Sequence, residues 1–188
     1  MVAISPSTNS IPSGVALVFR TAQEYFLNNH YDIMVTLDAD NQFNQKDIIN
    51  LVKPILENQT DITIASRLID KDVKPLNMPV IKKIGNIFFS TLVSKLFKQN
   101  PMDITCGFRA YSKKALLAVN TYSEFTYTHE TLIDLIFKKF KILEVASEVK
   151  YFKNRNSKIS GNLISYGLKS LMIILKIFRD YYPLKFFG

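Results

Sequence analysis

The sequence predicts an α/β fold with a mostly parallel sheet, and three observations support this prediction. Short apolar runs alternate along the chain with longer segments whose apolar residues recur at helical spacing. Strands that alternate with helices in this way are typical of layered folds with parallel strands. The 188 residues are 47% hydrophobic and 21% charged, a composition that suits one globular domain and argues against a disordered chain.

The first part of the chain predicts a helix, a strand and a second helix. The first helix covers residues 14–29, where apolar side chains recur with the period of a helix. The apolar run 32–37 predicts a strand that is buried on both faces. Residues 44–58 predict the second helix, with Asn44 as its cap and Pro54 as the cause of a kink.

The remainder of the chain continues this alternation. Residues 61–66 are rich in β-branched side chains and predict another strand. Two prolines and the lack of periodicity predict a loop over 71–79. After this loop we predict a helix over 80–97 and an irregular segment or short strand over 103–111. Helices are predicted over 112–120 and 129–140, and a strand over 141–152.

Two aspartates follow the first predicted strand directly. Asp38 and Asp40 are separated by one residue, so an extended backbone projects both side chains to one side, and Gln42 comes two residues later. In open α/β sheets the carboxyl ends of the strands form the ligand crevice. Carboxylate and amide oxygens are the ligands that Mg²⁺ or Mn²⁺ prefers beside bound phosphates. The pattern predicts a divalent-metal site, although two acids after a strand can also simply cap the next turn.

The residue inventory excludes several other kinds of site. The single cysteine, Cys106, rules out an intrachain disulfide framework and a multi-cysteine metal site, and it favours a reducing compartment. His30 and His129 lie far apart in sequence and form no HExxH motif.

Four segments of the sequence, in this order, resemble the family-2 glycosyltransferases. They are TLDADNQF at 36–43, ASR at 65–67, DITCGFRAYSKKAL at 103–116 and RNSKIS at 155–160. The resemblance extends over residues 14–160 and is to the dolichyl-phosphate and polyprenyl-phosphate mannose or glucose synthases. It implies a Rossmann-like GT-A domain that transfers a hexose from a nucleotide-sugar to a polyprenyl phosphate, with inversion at the anomeric carbon.

The resemblance also implies roles for the acidic residues. Asp38, Asp40 and Gln42 would bind the metal ion, Mg²⁺ or Mn²⁺, and through it the pyrophosphate of the donor. Asp38, Asp40 and Asp103 are the predicted catalytic residues, with Asp103 near the acceptor. Gly107 would permit a close approach of the backbone to the site.

Basic residues are expected at the phosphates. Arg67, Arg155 and Lys158 would bind the donor, and Lys83 and Glu130 are candidates for the acceptor-phosphate site. Arginine suits this task because its planar guanidinium can donate two hydrogen bonds to one phosphate. The alternatives are structural: solvated basic side chains in each case, and for Glu130 an acid that simply favours the start of a helix.

One part of the family pattern has no counterpart in this sequence. The strands and motifs that hold the nucleotide base in relatives do not occur before Gly14, so we expect an N-terminally incomplete GT-A domain. A gene fragment, a split enzyme and a remnant with a changed role are all open explanations. The alternative function is therefore an inactive or half-enzyme, membrane-associated fragment that needs a partner chain for nucleotide binding.

Positive charge is concentrated at the C-terminal end. From Lys150 onward the chain has eight basic residues and one acid, Asp180, so most of the formal net charge of +8 lies there. Segment 162–178 carries an apolar stripe at helical spacing, but Lys169 and Lys176 interrupt it, and a spanning helix needs about 20 mostly apolar residues. The segment predicts an amphipathic helix at a membrane interface or, alternatively, a helix packed on the core.

The predicted organisation is a truncated GT-A domain over 1–160 and a basic membrane-interface tail over 161–188. A lipid-linked acceptor and the basic tail together predict a peripheral protein at the cytoplasmic face of a membrane. Nucleic acid is not an expected partner, because the tail has neither the spaced aromatic residues nor a motif typical of nucleic-acid binders.

Overall fold

The computed structural model describes residues 14–69, 78–99, 103–121, 126–151 and 163–188, except for the side chains of residues 163 and 164. The helices and strands within these ranges are α1 (Val15–Asn28), β1 (Ile33–Thr36), α2 (Ile48–Leu56), β2 (Ile62–Ser66), α3 (Val80–Phe97), β3 (Arg109–Ser112), α4 (Lys113–Ala118), α5 (Thr128–Phe137), β4 (Ile142–Ala146), α6 (Leu163–Tyr181) and α7 (Pro183–Phe187). The predicted loop over 71–79 lies outside the described residues except for Met78 and Pro79.

The strands of the described ranges form one sheet in the order β1-β3-β2-β4. β2 and β4 pair in parallel, with Thr63 opposite Leu143. β3 lies between β1 and β2 and pairs antiparallel with both, so β1, β2 and β4 all run in the same direction. The predicted α/β fold with a mostly parallel sheet is confirmed, and β3 is its antiparallel exception.

The core forms around β2, in which every residue is buried. Leu51 of α2 is buried against the sheet, and the Thr63 hydroxyl on β2 donates a 2.8 Å hydrogen bond to the Leu51 carbonyl. Without that acceptor the buried hydroxyl would cost about 1–3 kcal/mol. Each fully buried aliphatic side chain contributes about 1.5–3 kcal/mol relative to an exposed one, so the packing of α2 on β2 is a major source of stability.

Two element boundaries have clear local causes. The Asn44 side chain accepts a hydrogen bond from the backbone of Lys46, which confirms the predicted cap, although the first turn after it, Gln45–Asp47, is a 3-10 turn rather than α-helix. The strand predicted over 141–152 is shorter than expected. β4 ends at Ala146 because its partner β2 ends at Ser66 and offers no further residues for pairing.

The predicted C-terminal helix is present as α6, and one of its faces packs against α5. The rings of Phe137 and Tyr181 stack with centroids 3.9 Å apart, the Tyr181 hydroxyl donates to Asp134, and Ser170 and Ile174 are fully buried. None of the helices in the described ranges combines the length and the apolar composition needed to cross a bilayer. One face of α6 therefore packs on the core, as expected under the alternative that segment 162–178 is a core-packed helix.

Arg109 fixes the start of α5 relative to β3. The residue is fully buried, and its guanidinium donates to the carbonyls of Thr128 and Ile104 at 2.7 and 2.8 Å and to the Thr131 hydroxyl at 3.2 Å. Hydrogen bonds that involve a charged group contribute about 1.5–3 kcal/mol each. Arg109 thus holds the N-terminal turn of α5 beside the segment that precedes β3.

We predict that His129, which is fully buried in α5, makes folding pH-dependent. Burial, with a smaller effect of the nearby Arg109 charge, lowers the pKa of His129 to about 3. The unfolded chain, with an ordinary histidine pKa near 6.5, then binds a proton that the folded chain excludes. As pH falls from 6.5 towards 3, the free energy of unfolding should therefore fall by up to about 1.4 kcal/mol per pH unit from this residue alone.

The measurement is urea unfolding at several pH values for the wild type and for His129→Phe, which should lose this contribution. The control is His30→Asn, because His30 is exposed and Asn also tolerates its left-handed backbone, φ 58°. Equal pH slopes for the wild type and His129→Phe would contradict the prediction.

Candidate active site

The predicted aspartates lie at the carboxyl end of β1, where the chain turns at once. Asp38 is exposed, and Asp40 and Gln42 are half-buried. An Asp40 carboxylate oxygen accepts a 3.1 Å hydrogen bond from the backbone of Gln42, and Asn41 between them adopts the left-handed region at φ 58°. Asp40 therefore stabilises the turn, as the structural alternative expects, and the same turn keeps the three predicted metal-binding residues together at the end of the strand.

Gly107 lies directly beside Asp38. The Thr36 hydroxyl at the end of β1 donates a 2.7 Å hydrogen bond to the Gly107 carbonyl, which holds the segment before β3 against β1. A Cβ atom at position 107 would lie 3.3 Å from a carboxylate oxygen of Asp38 and 3.3 Å from the Tyr127 hydroxyl oxygen. The close backbone approach expected of Gly107 is thus directed at Asp38.

Arg67 and Asp103 form a buried ion pair at the carboxyl end of β2. The Arg67 side chain donates to both carboxylate oxygens of Asp103, at 2.6 and 2.5 Å, and the Arg67 backbone N–H donates to the same group at 3.0 Å. Arg67 also donates to the hydroxyls of Thr105 and Tyr151, each at 2.7 Å. These contacts engage all three guanidinium nitrogens and join β2 to the segment before β3.

Burial and pairing oppose each other at Arg67. Burial disfavours the charged guanidinium, but the hydrogen bonds and the negative charge of Asp103 more than compensate, so the pKa of Arg67 is raised well above its ordinary value. Asp103 itself is fully buried, and the Arg67 side chain is 11% exposed. In this arrangement the charges of the pair balance each other, and both carboxylate oxygens of Asp103 accept hydrogen bonds from Arg67.

The other predicted site residues lie in different surroundings. Lys83 is exposed on α3, whereas Glu130 is buried in the first turn of α5. Arg155 and Lys158 lie outside the described residues. The structure thus brings the predicted residues into two groups, one around Asp38 and one around Arg67, and the segment 103–107 contacts both.

Sequence reasoning did not identify three residues that contact these groups. Tyr127 lies beside Asp38, Tyr151 accepts from Arg67, and the Asn86 side chain accepts from the backbone of Thr105 at 3.3 Å. Each contact joins residues that are distant in sequence, so spacing alone gives no signal. In the segment 127–132 the sequence pattern drew attention to His129 and Glu130 but not to Tyr127.

The side-chain oxygens of Asp38, Asp40 and Gln42 are an incomplete set of ligands for a divalent metal ion. Within the described ranges, no group of three or more His, Cys, Asp and Glu side chains is arranged to hold a metal ion. Mg²⁺, however, is usually bound by one or two carboxylates together with water and substrate phosphates. Asp38 and Asp40, with the amide of Gln42, fit a site of that kind, in which the substrate completes the coordination.

Comparison with known proteins identifies relatives of two named activities. The chain is 29% identical over 150 residues to a UDP-N-acetylglucosamine–dolichyl-phosphate N-acetylglucosaminyltransferase of Methanococcus voltae, covering 78% of this chain and 59% of the relative. It is 26% identical over 142 residues to an undecaprenyl-phosphate mannosyltransferase of Micrococcus luteus, and the match covers 73% of this chain and 57% of that relative. An uncharacterized protein of Methanocaldococcus jannaschii is 29% identical over 149 residues, and the match covers 78% of this chain and 61% of that relative.

The chain spans about three fifths of the length of these curated relatives. The family model described as glycosyl transferase family 2 matches residues 24–119, a range that makes up half of the chain and contains Asp38, Asp40, Arg67 and Asp103. The predicted resemblance is confirmed, and the chain belongs to glycosyl transferase family 2.

Proposed function

We propose that this chain takes part in the metal-dependent, inverting transfer of a hexose from a nucleotide-sugar to a polyprenyl phosphate of the dolichyl type. The observation that carries the proposal is the position of the exposed Asp38, with Asp40, at the carboxyl end of β1 in a member of this family. Two relatives are named as transferases to dolichyl phosphate and undecaprenyl phosphate, which supports this class of acceptor.

The proposed reaction needs no covalent nucleophile from the protein. The acceptor phosphate is ionised at neutral pH, and one of its oxygens forms a bond to the anomeric carbon. The bond from that carbon to the nucleoside diphosphate breaks on the opposite face, and the diphosphate leaves with the electron pair. The protein must therefore bring two polyanions together and stabilise the charge that develops on the leaving group.

Asp38, Asp40 and Gln42 are the residues proposed to hold Mg²⁺ or Mn²⁺. When bound, the metal ion would neutralise charge on the departing diphosphate. The hydrogen bond from the Gln42 backbone stabilises this turn and holds the Asp40 carboxylate at the end of β1 before any substrate binds. Such preorganisation reduces the entropy that is lost when the donor is fixed.

Asp103 is proposed to act through Arg67. Its buried carboxylate holds the guanidinium in one orientation by two side-chain hydrogen bonds, so Asp103 is a positioning residue for the proposed donor-phosphate contact of Arg67. Arg155 and Lys158 are proposed to supply further positive charge to the donor. Lys83, exposed on α3, is proposed to meet the acceptor phosphate, and the buried Glu130 to support that part of the site from α5.

The segment 161–188 is proposed to hold the protein at the cytoplasmic face of a membrane. The face of α6 opposite the core exposes Leu168 and Met172, and Lys169 and Lys176 are exposed beside them. A shallow groove between α6 and α7 is lined by apolar and basic side chains, namely Met172, Leu175, Lys176, Arg179, Phe186 and Phe187. Apolar side chains flanked by basic ones favour the interface of an anionic bilayer.

A second helix, α3, also exposes apolar residues. On α3, Val80, Ile81, Ile84 and Phe88 recur at helical spacing, and all are exposed, Val80 by 72% and Ile84 by 58%. The helix contacts α6 through the rings of Phe97 and Phe178, whose centroids are 5.9 Å apart. Since Lys83 lies among these apolar residues, the two helices together support a membrane-facing surface beside a lipid-linked acceptor.

The proposed metal site is tested by Asp40→Asn. This variant keeps an oxygen that can accept the hydrogen bond from Gln42 but removes the negative charge, so the turn should persist while binding of the metal ion weakens. We expect Mn²⁺-dependent binding of UDP-, GDP- or dTDP-sugars, measured by calorimetry, to weaken at least tenfold. Asp32→Ala is the matched control, because Asp32 is an exposed acid at the opposite end of β1.

Unchanged donor binding by Asp40→Asn would contradict the metal assignment. The wild-type chain is also measured with candidate partner chains, since donor binding that requires a second chain would favour the half-enzyme alternative. If no combination binds any nucleotide-sugar, the proposed transfer is wrong.

The positioning role of Asp103 predicts a large loss of stability in Asp103→Asn. The substitution leaves the mostly buried guanidinium of Arg67 without its counter-charge, a change that typically costs about 3–5 kcal/mol. The exposed pair of Arg179 and Asp180, with N and O atoms 2.6 Å apart, provides a matched control. Asp180→Asn should cost less than about 1 kcal/mol. Urea unfolding of both variants measures the difference, and equal losses would contradict the assignment.

The proposed membrane surface is tested by the double variant Lys169→Glu and Lys176→Glu. Each basic residue near an anionic surface contributes about 1 kcal/mol, so removing two of them should weaken binding to vesicles that contain phosphatidylglycerol at least about thirtyfold, and the added negative charges should weaken it further. The control double variant, Lys53→Glu and Lys114→Glu, makes the same charge change at exposed positions on α2 and α4. Flotation of both double variants with these vesicles measures their binding. An equal loss of binding would contradict the proposed surface, because it would show that total charge rather than the position of the lysines on α6 determines binding.

A further inference from the structure

Two chemical groups approach the Cα atom of Gly107 from different parts of the chain. A Cβ atom there would lie 3.3 Å and 3.6 Å from the two carboxylate oxygens of Asp38, and 3.3 Å from the hydroxyl oxygen of Tyr127. Among the described glycines, the one with a left-handed φ is Gly14, so the backbone at Gly107 would accept other residues. Lack of space, rather than backbone conformation, is therefore what favours glycine here.

Tyr127 is held rigidly in this position. The residue is 6% exposed, and its ring stacks on Phe19 with centroids 4.5 Å apart and planes 10° from parallel. Its hydroxyl donates to the Gly107 carbonyl at 3.3 Å, and the same carbonyl accepts from the Thr36 hydroxyl at 2.7 Å. The phenol hydroxyl and the Asp38 carboxylate thus both border the space beside the Gly107 Cα atom.

The Tyr127 hydroxyl remains protonated at neutral pH. Burial raises the pKa of Tyr127 well above its ordinary value, and the negative charge of Asp38 acts in the same direction. Its single proton is donated to the Gly107 carbonyl, so the hydroxyl fixes the backbone beside which the Asp38 carboxylate lies and, being neutral, does not repel that carboxylate. The hydroxyl is therefore suited to orient Asp38 without competing for a cation.

We propose that Gly107 and Tyr127 are positioning residues for Asp38, one by leaving space for its carboxylate and the other by orienting it towards a divalent cation and the diphosphate of a donor. This inference rests on the proposed function. An exposed carboxylate samples several rotamers, and fixing one of them before the cation binds reduces the entropy lost on binding. Loss of such supporting contacts around a metal ligand typically weakens metal affinity by about 10–100-fold.

The test compares Tyr127→Phe and Gly107→Ala with matched controls. Tyr127→Phe keeps the ring that stacks on Phe19 and removes only the hydroxyl, and its control is Tyr25→Phe on the exposed side of α1. Gly107→Ala adds one methyl group against Asp38, whereas Gly85→Ala adds the same group where no other atom lies within 4 Å. Mn²⁺ affinity is measured by electron paramagnetic resonance of the free ion, with and without UDP, and melting temperatures are recorded in parallel.

We expect both site variants to bind Mn²⁺ at least tenfold more weakly than the wild type, at melting temperatures close to that of the wild type. The controls should bind as the wild type does. If Tyr127→Phe and Gly107→Ala keep wild-type affinity, the positioning role is wrong while the proposed function stands. If the wild type itself binds no Mn²⁺ under either condition, the proposed metal site fails, and this inference fails with it.

Discussion

The ion pair between Arg67 and Asp103 fixes the geometry on which the candidate site depends. Arg67 follows β2, and Asp103 begins the segment that leads into β3, so the pair joins two strand ends through a fully buried carboxylate. Because β3 lies between β1 and β2, this same segment passes Asp38 at Gly107 before the strand begins. A shift of Asp103 would therefore also move the backbone beside the metal-binding residues proposed at the end of β1.

Local patterns predicted the elements of the fold, but not how the strands meet. Asn44 caps its turn as expected, and Asp38 and Asp40 follow a strand, because both features depend on neighbours in sequence. The antiparallel direction of β3 depends on pairing with two strands that are distant in sequence, and its four residues carry no signal for it. For the same reason the position of Tyr127 beside Gly107 could not be predicted, since it exists only after α5 packs beside β3.

The C-terminal helix shows why an amphipathic pattern alone leaves two explanations open. Core packing and membrane binding both require an apolar stripe, and α6 has enough apolar residues for two surfaces. Ser170 and Ile174 are buried against the protein, while Leu168 and Met172 are exposed near Lys169 and Lys176. The rings of Tyr166 on α6 and His129 on α5 lie 6.4 Å apart. α6 therefore packs one face on α5 and keeps a separate exposed face of apolar and basic residues.

Charge balance gives the physical argument for a cation in the proposed reaction. Asp38 and Asp40 are acids at the place where a nucleotide-sugar diphosphate would bind, and alone they would repel it. Arg67 adds little net charge, because Asp103 neutralises it within hydrogen-bonding distance, so its proposed contact with the donor phosphate is a hydrogen bond rather than a source of net positive charge. The two acids therefore favour an anionic donor only as ligands of a divalent ion, and the basic residues Arg155, Lys158 and Lys83 can supply the remaining charge. The proposed role of the two carboxylates is therefore to bind the ion that a diphosphate substrate would require.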